Sequence, residues 1–284
     1  MTWSRWLLSI VTLLLLASKE GLASEMVRFS SAAVPPSALK QRLAQERGEI
    51  AQPEPADEIA GELYRPEGVG PFPAVVALHG CGGRAMVSER IIADRFVSWG
   101  YVYLAVDSFG PRGIRETCDR RGPAQPVDSE MDAFGAADFL ATQPFVDAAD
   151  VVALGFSLGG GVALRTVAID GPRTLARHPF AAAVAYYPSP CEVDHPVAVP
   201  TLILLGELDD LAPAKACRDA LARKGDGGAT ITLVVYPGAH HDFDRTNLSP
   251  DGMTLLGHRL QYNEAADHAA ADEVRQFLRQ ALGK

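Results

Sequence analysis

Three short runs without a single polar residue constrain this chain most: AVVAL at 74–78, YVYLAV at 101–106 and LILL at 202–205. A strand with one wet face alternates polar and apolar positions, whereas an unbroken apolar strand must be covered on both faces, as parallel strands are. Further strands are expected at 59–64, 151–155, 182–186 and 230–236. Helical patterns fall at 89–98, 129–142, 158–168, 214–222 and 264–282. This alternation predicts an α/β fold, a doubly wound, mostly parallel sheet with helices on both faces. In such sheets ligands sit beyond the carboxyl ends of the strands, so chemistry is sought just after each apolar run.

The N-terminus reads as an export signal. Arg5 supplies positive charge, residues 6–17 are largely apolar, and Gly21, Leu22 and Ala23 form a small-residue cleavage site. The apolar run is about twelve residues, short of the roughly 20 that a spanning helix needs. Residues 1–23 are therefore expected to be a signal peptide, and the mature chain to be secreted or periplasmic, without stable membrane insertion. A proline-flanked stretch at 24–56, with one short helix near 37–47, reads as a peripheral extension, and 57–284 as a single domain. The net charge of -9, with no dense Lys/Arg run, argues against a nucleic-acid partner. Four cysteines, Cys81, Cys118, Cys191 and Cys217, are an even number in an exported chain, and their spacings lack the CxxC pattern of zinc or redox sites.

The strand at 151–155 runs into GFSLG at 155–159 and then into a helical pattern, the strand, sharp turn, helix context of a nucleophile elbow. Ser157 sits at the bend, above a helix N-terminus that favours developing negative charge. A serine hydroxyl is a poor nucleophile at neutral pH and needs an imidazole to take its proton and a carboxylate to orient that imidazole. Both follow in the required chain order, each after a later strand: Glu207, Asp209 or Asp210 in GELDD at 206–210, then His240 or His241 in PGAHHD at 237–242. An oxyanion hole needs two backbone N–H donors. Leu158 supplies one, and Cys81 in the glycine-rich loop HGCGG at 79–83 supplies the other. This chemistry calls for no metal and no cofactor.

These blocks resemble the dienelactone hydrolase family of the α/β-hydrolases, from about residue 57 to the C-terminus. The resemblance rests on PAVVALHG at 73–80, VDSFGPR at 106–112, GFSLGG at 155–160, GELD at 206–209 with Pro213, and YPGAHHDF at 236–243. It implies that Asp209 is the acid and His241 the base, because the family spaces Gly, two residues, Asp, three residues, Pro, and sets its His two positions before a Phe. Two departures stand out: Ser157 replaces the cysteine of the best-known members, and His79, a candidate substrate contact, replaces an acidic residue. Arg245 stands where the family grips a substrate carboxylate, and Arg112 lies one residue from a second such position, which implies a preference for anionic half-esters. The expected disulfides, Cys81–Cys118 and Cys191–Cys217, would each tie neighbouring active-site segments together. The reading is a serine hydrolase of small carboxylic esters or lactones. A thioesterase or peptidase would use the same triad, and a noncatalytic binding protein would be marked by a missing triad member.

Overall fold

The computed structural model describes residues 24–53, 56–84, 89–119, 127–249 and 251–284; the expected signal peptide at 1–23 lies outside them. The apolar runs become strands buried along their length. β3 (Phe72–Leu78), β4 (Val102–Asp107) and β7 (Thr201–Gly206) join β2 (Glu58–Tyr64), β5 (Val146–Phe156), β6 (Ala182–Tyr186), β8 (Ile231–Tyr236) and β1 (Ser24–Ser30). The eight strands are ordered β1-β2-β4-β3-β5-β6-β7-β8. β1 and β2 run antiparallel to their neighbours, and the remaining pairs are parallel.

Because successive side chains of a strand point to opposite faces, each central strand feeds two cores. Val75, Ala77, Tyr103 and Ala105 pack against α2 (Glu89–Ser98) and α6 (Glu264–Ala281) through Ile92, Phe96, Ala270, Val274 and Leu278. Ala74, Val76, Leu104 and Val106 pack on the other face against α3 (Ser129–Ala141) and α4 (Leu158–Thr166) through Met131, Phe134, Ala137, Val162 and Ala163. Asp128 caps α3 by accepting the Met131 N–H at 3.2 Å, and Asn263 caps α6 by accepting that of Ala266 at 3.1 Å, which satisfies donors the first turn leaves free.

Two features depart from the sequence expectation. The extension carries the short helix α1 (Ala38–Glu46), yet it is not peripheral throughout, because β1 closes one edge of the sheet against β2. Beyond it, Ser31 N–H binds Asp57 O and Ala32 N–H binds Met131 O, both at 2.8 Å, so the chain is tied to α3 as well. In β1 Phe29 is the buried residue, so the segment carries little of the alternation that marks a strand. The second feature is a hairpin of β9 (Met253–Leu255) and β10 (His258–Leu260), joined by Leu256 and Gly257, both at positive φ. Each three-residue strand is too short to show a period.

Candidate active site

Ser157 follows β5 directly and adopts φ 53°, ψ -115°, a region that non-glycine residues rarely occupy. The surrounding backbone over-determines it: its N–H donates to Tyr186 O at 3.0 Å, and its carbonyl accepts from Gly161 at 3.1 Å and Ser189 at 3.0 Å. The turn tolerates no side chain on its flanks. A Cβ on Gly155 would strike the Gly159 carbonyl, and one on Gly159 would strike that of Leu78. The serine hydroxyl is thereby left at the carboxyl edge of the sheet.

The loops after β7 and β8 meet it there. His241 Nδ1 donates to Asp209 Oδ2 at 2.7 Å, which leaves Nε2 to accept from the Ser157 hydroxyl at 3.0 Å. Asp209 Oδ1 accepts the N–H groups of Leu211 (2.9 Å) and Ala212 (2.7 Å), so both carboxylate oxygens are engaged. The neighbours have other partners: Glu207 accepts from Gly238 N–H at 3.0 Å, Asp210 lies 3.4 Å from His258, and His240 Nδ1 lies 3.1 Å from Leu208 O. The hairpin anchors His241, since Leu260 bridges to it and Gln261 N–H donates to His241 O at 3.1 Å.

On the opposite side of the serine, Gly80 passes close enough that an added Cβ would lie 3.3 Å from Ser157 Cβ. Among the described residues, neither the Cys81 nor the Leu158 N–H donates to a protein acceptor. The Cys81 segment is held from behind by the Cys81–Cys118 disulfide (S–S 2.02 Å) and by Thr117 N–H donating to Cys81 O at 2.7 Å. The second disulfide, Cys191–Cys217, joins the loop after β6 to α5 (Ala214–Arg223), so both cysteine pairs form as the sequence reading expects.

Two expected substrate contacts are corrected. His79 is buried and faces the backbone, its Nδ1 donating to Gly80 O at 2.8 Å and its Nε2 accepting Ser108 N–H at 3.3 Å. Burial, the largest influence, depresses its pKa, which suits a neutral ring with one donating and one accepting nitrogen. Arg112 is committed elsewhere: it makes paired bonds to buried Asp132 at 2.7 and 2.9 Å, a third to Asp57 at 2.8 Å and a fourth to Ser108 O at 2.7 Å. Its carboxylate partners are 20 and 55 residues away in sequence, so the motif at 106–112 carries no sign of them.

Arg245 does line the cleft over Ser157, but its guanidinium is bonded to Asp242 Oδ2 (3.1 Å) and to Asn247 Oδ1 (2.9 Å). The remaining walls are Gly80, Cys81, Gly82, Phe156, Tyr187, Leu211, Asp244, Leu255 and Leu260. Sequence reasoning missed Tyr187 and Asp244. Tyr187 follows β6, where the rule of searching after each strand would have found it. Its ring lies 4.5 Å from that of His241, and its hydroxyl donates to Asp244. Asp244 had no signal beyond its closeness to His241, and the hairpin leucines had none.

The family model described as "Dienelactone hydrolase family" matches residues 59–282. A 110-residue stretch is 33% identical to the "Probable dipeptidyl-aminopeptidase B" of Paracoccidioides brasiliensis (strain Pb18), covering 36% of this chain and only 12% of that relative. Among solved structures, the dienelactone hydrolase of Anabaena variabilis ATCC 29413 superposes with a TM-score of 0.56 at 23% identity, over 78% of this chain and 92% of that one. A dienelactone hydrolase-like promiscuous phosphotriesterase from metagenomic libraries gives 0.57 at 19% identity, over 90% and 98%. At such identities the structures show a shared fold, while the family match spans most of the chain. This chain therefore belongs to the dienelactone hydrolase family.

Proposed function

We propose that the protein hydrolyses small carboxylic esters or lactones through an acyl-enzyme on Ser157. The observation that carries this reading is the unbroken chain from Asp209 through His241 to Ser157, at 2.7 and 3.0 Å, with two backbone N–H groups beside it that have no acceptor among the described residues. His241 removes the hydroxyl proton as Ser157 Oγ attacks the carbonyl carbon, and the tetrahedral oxyanion takes the N–H groups of Cys81 and Leu158. His241 then protonates the leaving alcohol, and in the second half activates water to release the acid. Asp209 holds the imidazole in the tautomer that leaves Nε2 free to accept.

The cleft over the serine is narrow, ≈ 40 Å³, and open on one side, which favours a short group at the reacting carbonyl with the rest of the ester extending outward. Export to an oxidising compartment accounts for the leader-like residues 1–23 together with two formed disulfides. The test is a fluorophosphonate label followed by peptide mapping, with turnover measured across short esters, lactones, thioesters and peptide anilides. A label on Ser157 and turnover confined to esters and lactones are expected. Preferred cleavage of anilides would transfer the triad to a peptidase, and an unlabelled Ser157 in an active preparation would overturn the mechanism.

A further inference from the structure

The cleft wall carries a carboxyl group that the esterase chemistry does not use. Asp244 is buried, lines the cavity over Ser157, and accepts from the hydroxyl of Tyr187, whose own ring lies against His241. The charged and titratable groups around it come from four places. Asp242 and Arg245 belong to its own loop, Tyr186 and Tyr187 to the end of β6 and the loop beyond, Asp267 to α6 and Arg95 to α2; His241 stands across the Tyr187 ring. Two pairs among these cancel. Arg95 binds Asp267 through two bonds of 2.8 and 3.0 Å, and Arg245 binds Asp242 at 3.1 Å. Asp244 has only the neutral phenol as a side-chain hydrogen-bond partner among the described residues, so its ionisation sets the net charge of the wall. We propose that Asp244 is a specificity-determining residue that, when ionised, turns away esters bearing a negative charge and leaves neutral or cationic ones favoured.

The consequence opposes what Arg245 alone would imply. An arginine already neutralised by Asp242 offers an incoming carboxylate little net attraction, and an ionised Asp244 in the same small cavity repels it. Burial, with Asp242 and Asp267 nearby, raises the Asp244 pKa to about 7 against the pull of the Tyr187 hydrogen bond. Discrimination should therefore switch on with rising pH near neutrality.

The inference rests on the esterase reading, and the experiment separates the two. Hydrolysis of the monomethyl and dimethyl esters of one short dicarboxylic acid is followed by chromatography, and kcat/KM for the anionic ester is divided by that for the neutral one. The ratio cancels every group both substrates need, His241 included. In the wild type it should fall roughly 10-fold between about pH 6 and about pH 8, the effect of one unit charge a few ångströms away at a dielectric constant between those of protein and water. Asp244→Asn should hold the ratio high and flat, with dimethyl ester turnover showing that the variant is folded. Tyr187→Phe removes the donor that favours the carboxylate, so the inflection should move to higher pH. A wild-type ratio flat across this range, or an Asp244→Asn ratio that still falls, overturns the proposal. Absence of dimethyl ester hydrolysis in the wild type counts instead against the esterase reading.

Discussion

The two sides of Ser157 are held by different kinds of bond. On the proposed oxyanion side, the segment at 79–83 is fixed by a disulfide, by Thr117 N–H on Cys81 O at 2.7 Å, and by His79 with both ring nitrogens spent on backbone. On the proposed acid–base side the contacts are between side chains: Asp209 binds His241, Arg245 binds Asp242, and Asp244 accepts from the Tyr187 hydroxyl. The difference follows from what each side does. Stabilising a transient oxyanion calls for neutral dipoles fixed before the reaction begins. Moving a proton calls for side chains that titrate and are held in one tautomer. Covalent rigidity and protonic adaptability are segregated across a few ångströms.

Removal of the atom both sides share should have the largest effect. Ser157→Ala is expected to lower kcat by about 10⁴-fold or more with the thermal unfolding profile unchanged; retention of most of the activity would show that Ser157 is not the nucleophile. Next, on the proton-moving side alone, Asp209→Asn should cost about 10⁴-fold by favouring the wrong imidazole tautomer. Fluorophosphonate labelling of Ser157 should slow in parallel, since the same proton transfer limits it.

The two disulfides differ in the same way, because each closes a loop but only one backs a proposed oxyanion donor. Replacing Cys81 and Cys118 together by serine should reduce kcat by roughly 10- to 100-fold, less than the roughly 10²- to 10³-fold cost of removing such a donor outright. The same change at Cys191 and Cys217 should leave kcat near wild type. Both should lower stability by about 3 to 4 kcal/mol, as chain entropy gives for sequence separations of 37 and 26 residues. Equal kcat in the two double variants would remove the special role of the first bridge.

Arg112→Ala should alter no substrate ratio while lowering stability by about 3 to 5 kcal/mol, because it strands Asp132 as a buried unpaired charge. A selective loss with anionic esters would return Arg112 to the cleft. The effects of pH on stability are opposite in sign on the two sides. His79, with its pKa depressed by burial, binds a proton more readily unfolded, so its share of stability falls as pH drops below its ordinary 6.5. Asp244, raised from 3.8 to about 7, binds its proton more tightly when folded, so its contribution fades as pH climbs through that interval. Chemical unfolding of His79→Gln and Asp244→Asn across pH should flatten opposite limbs of the stability profile.

Much of this molecule was legible in the chain because the signals were local. An unbroken apolar run reports its own burial, and the elbow at 155–159 reports its own turn; β3, β4 and β7 accordingly appear within one residue or two of their expected bounds. Which carboxylate and which imidazole would reach Ser157 was legible only with the family's spacing, since Glu207, Asp210 and His240 sit within two residues of Asp209 and His241 and share their chemistry.

What the sequence by itself determined, then, is the order of elements, the elbow, and which residues arrive at the carboxyl ends of the strands. The tertiary structure alone decided how those residues are spent. Arg112 and Arg245 look alike in the chain, but one meets Asp132 from α3 and Asp57 just before β2, while the other opens on the cleft with Asp242 beside it. His79 turns to Gly80 and Ser108, and Asp244 to Tyr187, 57 residues away. The physical reason is range: hydrophobic periodicity and turn chemistry act between neighbours along the chain, whereas charge pairing, burial and the pKa values they set depend on which segments the folded sheet brings together.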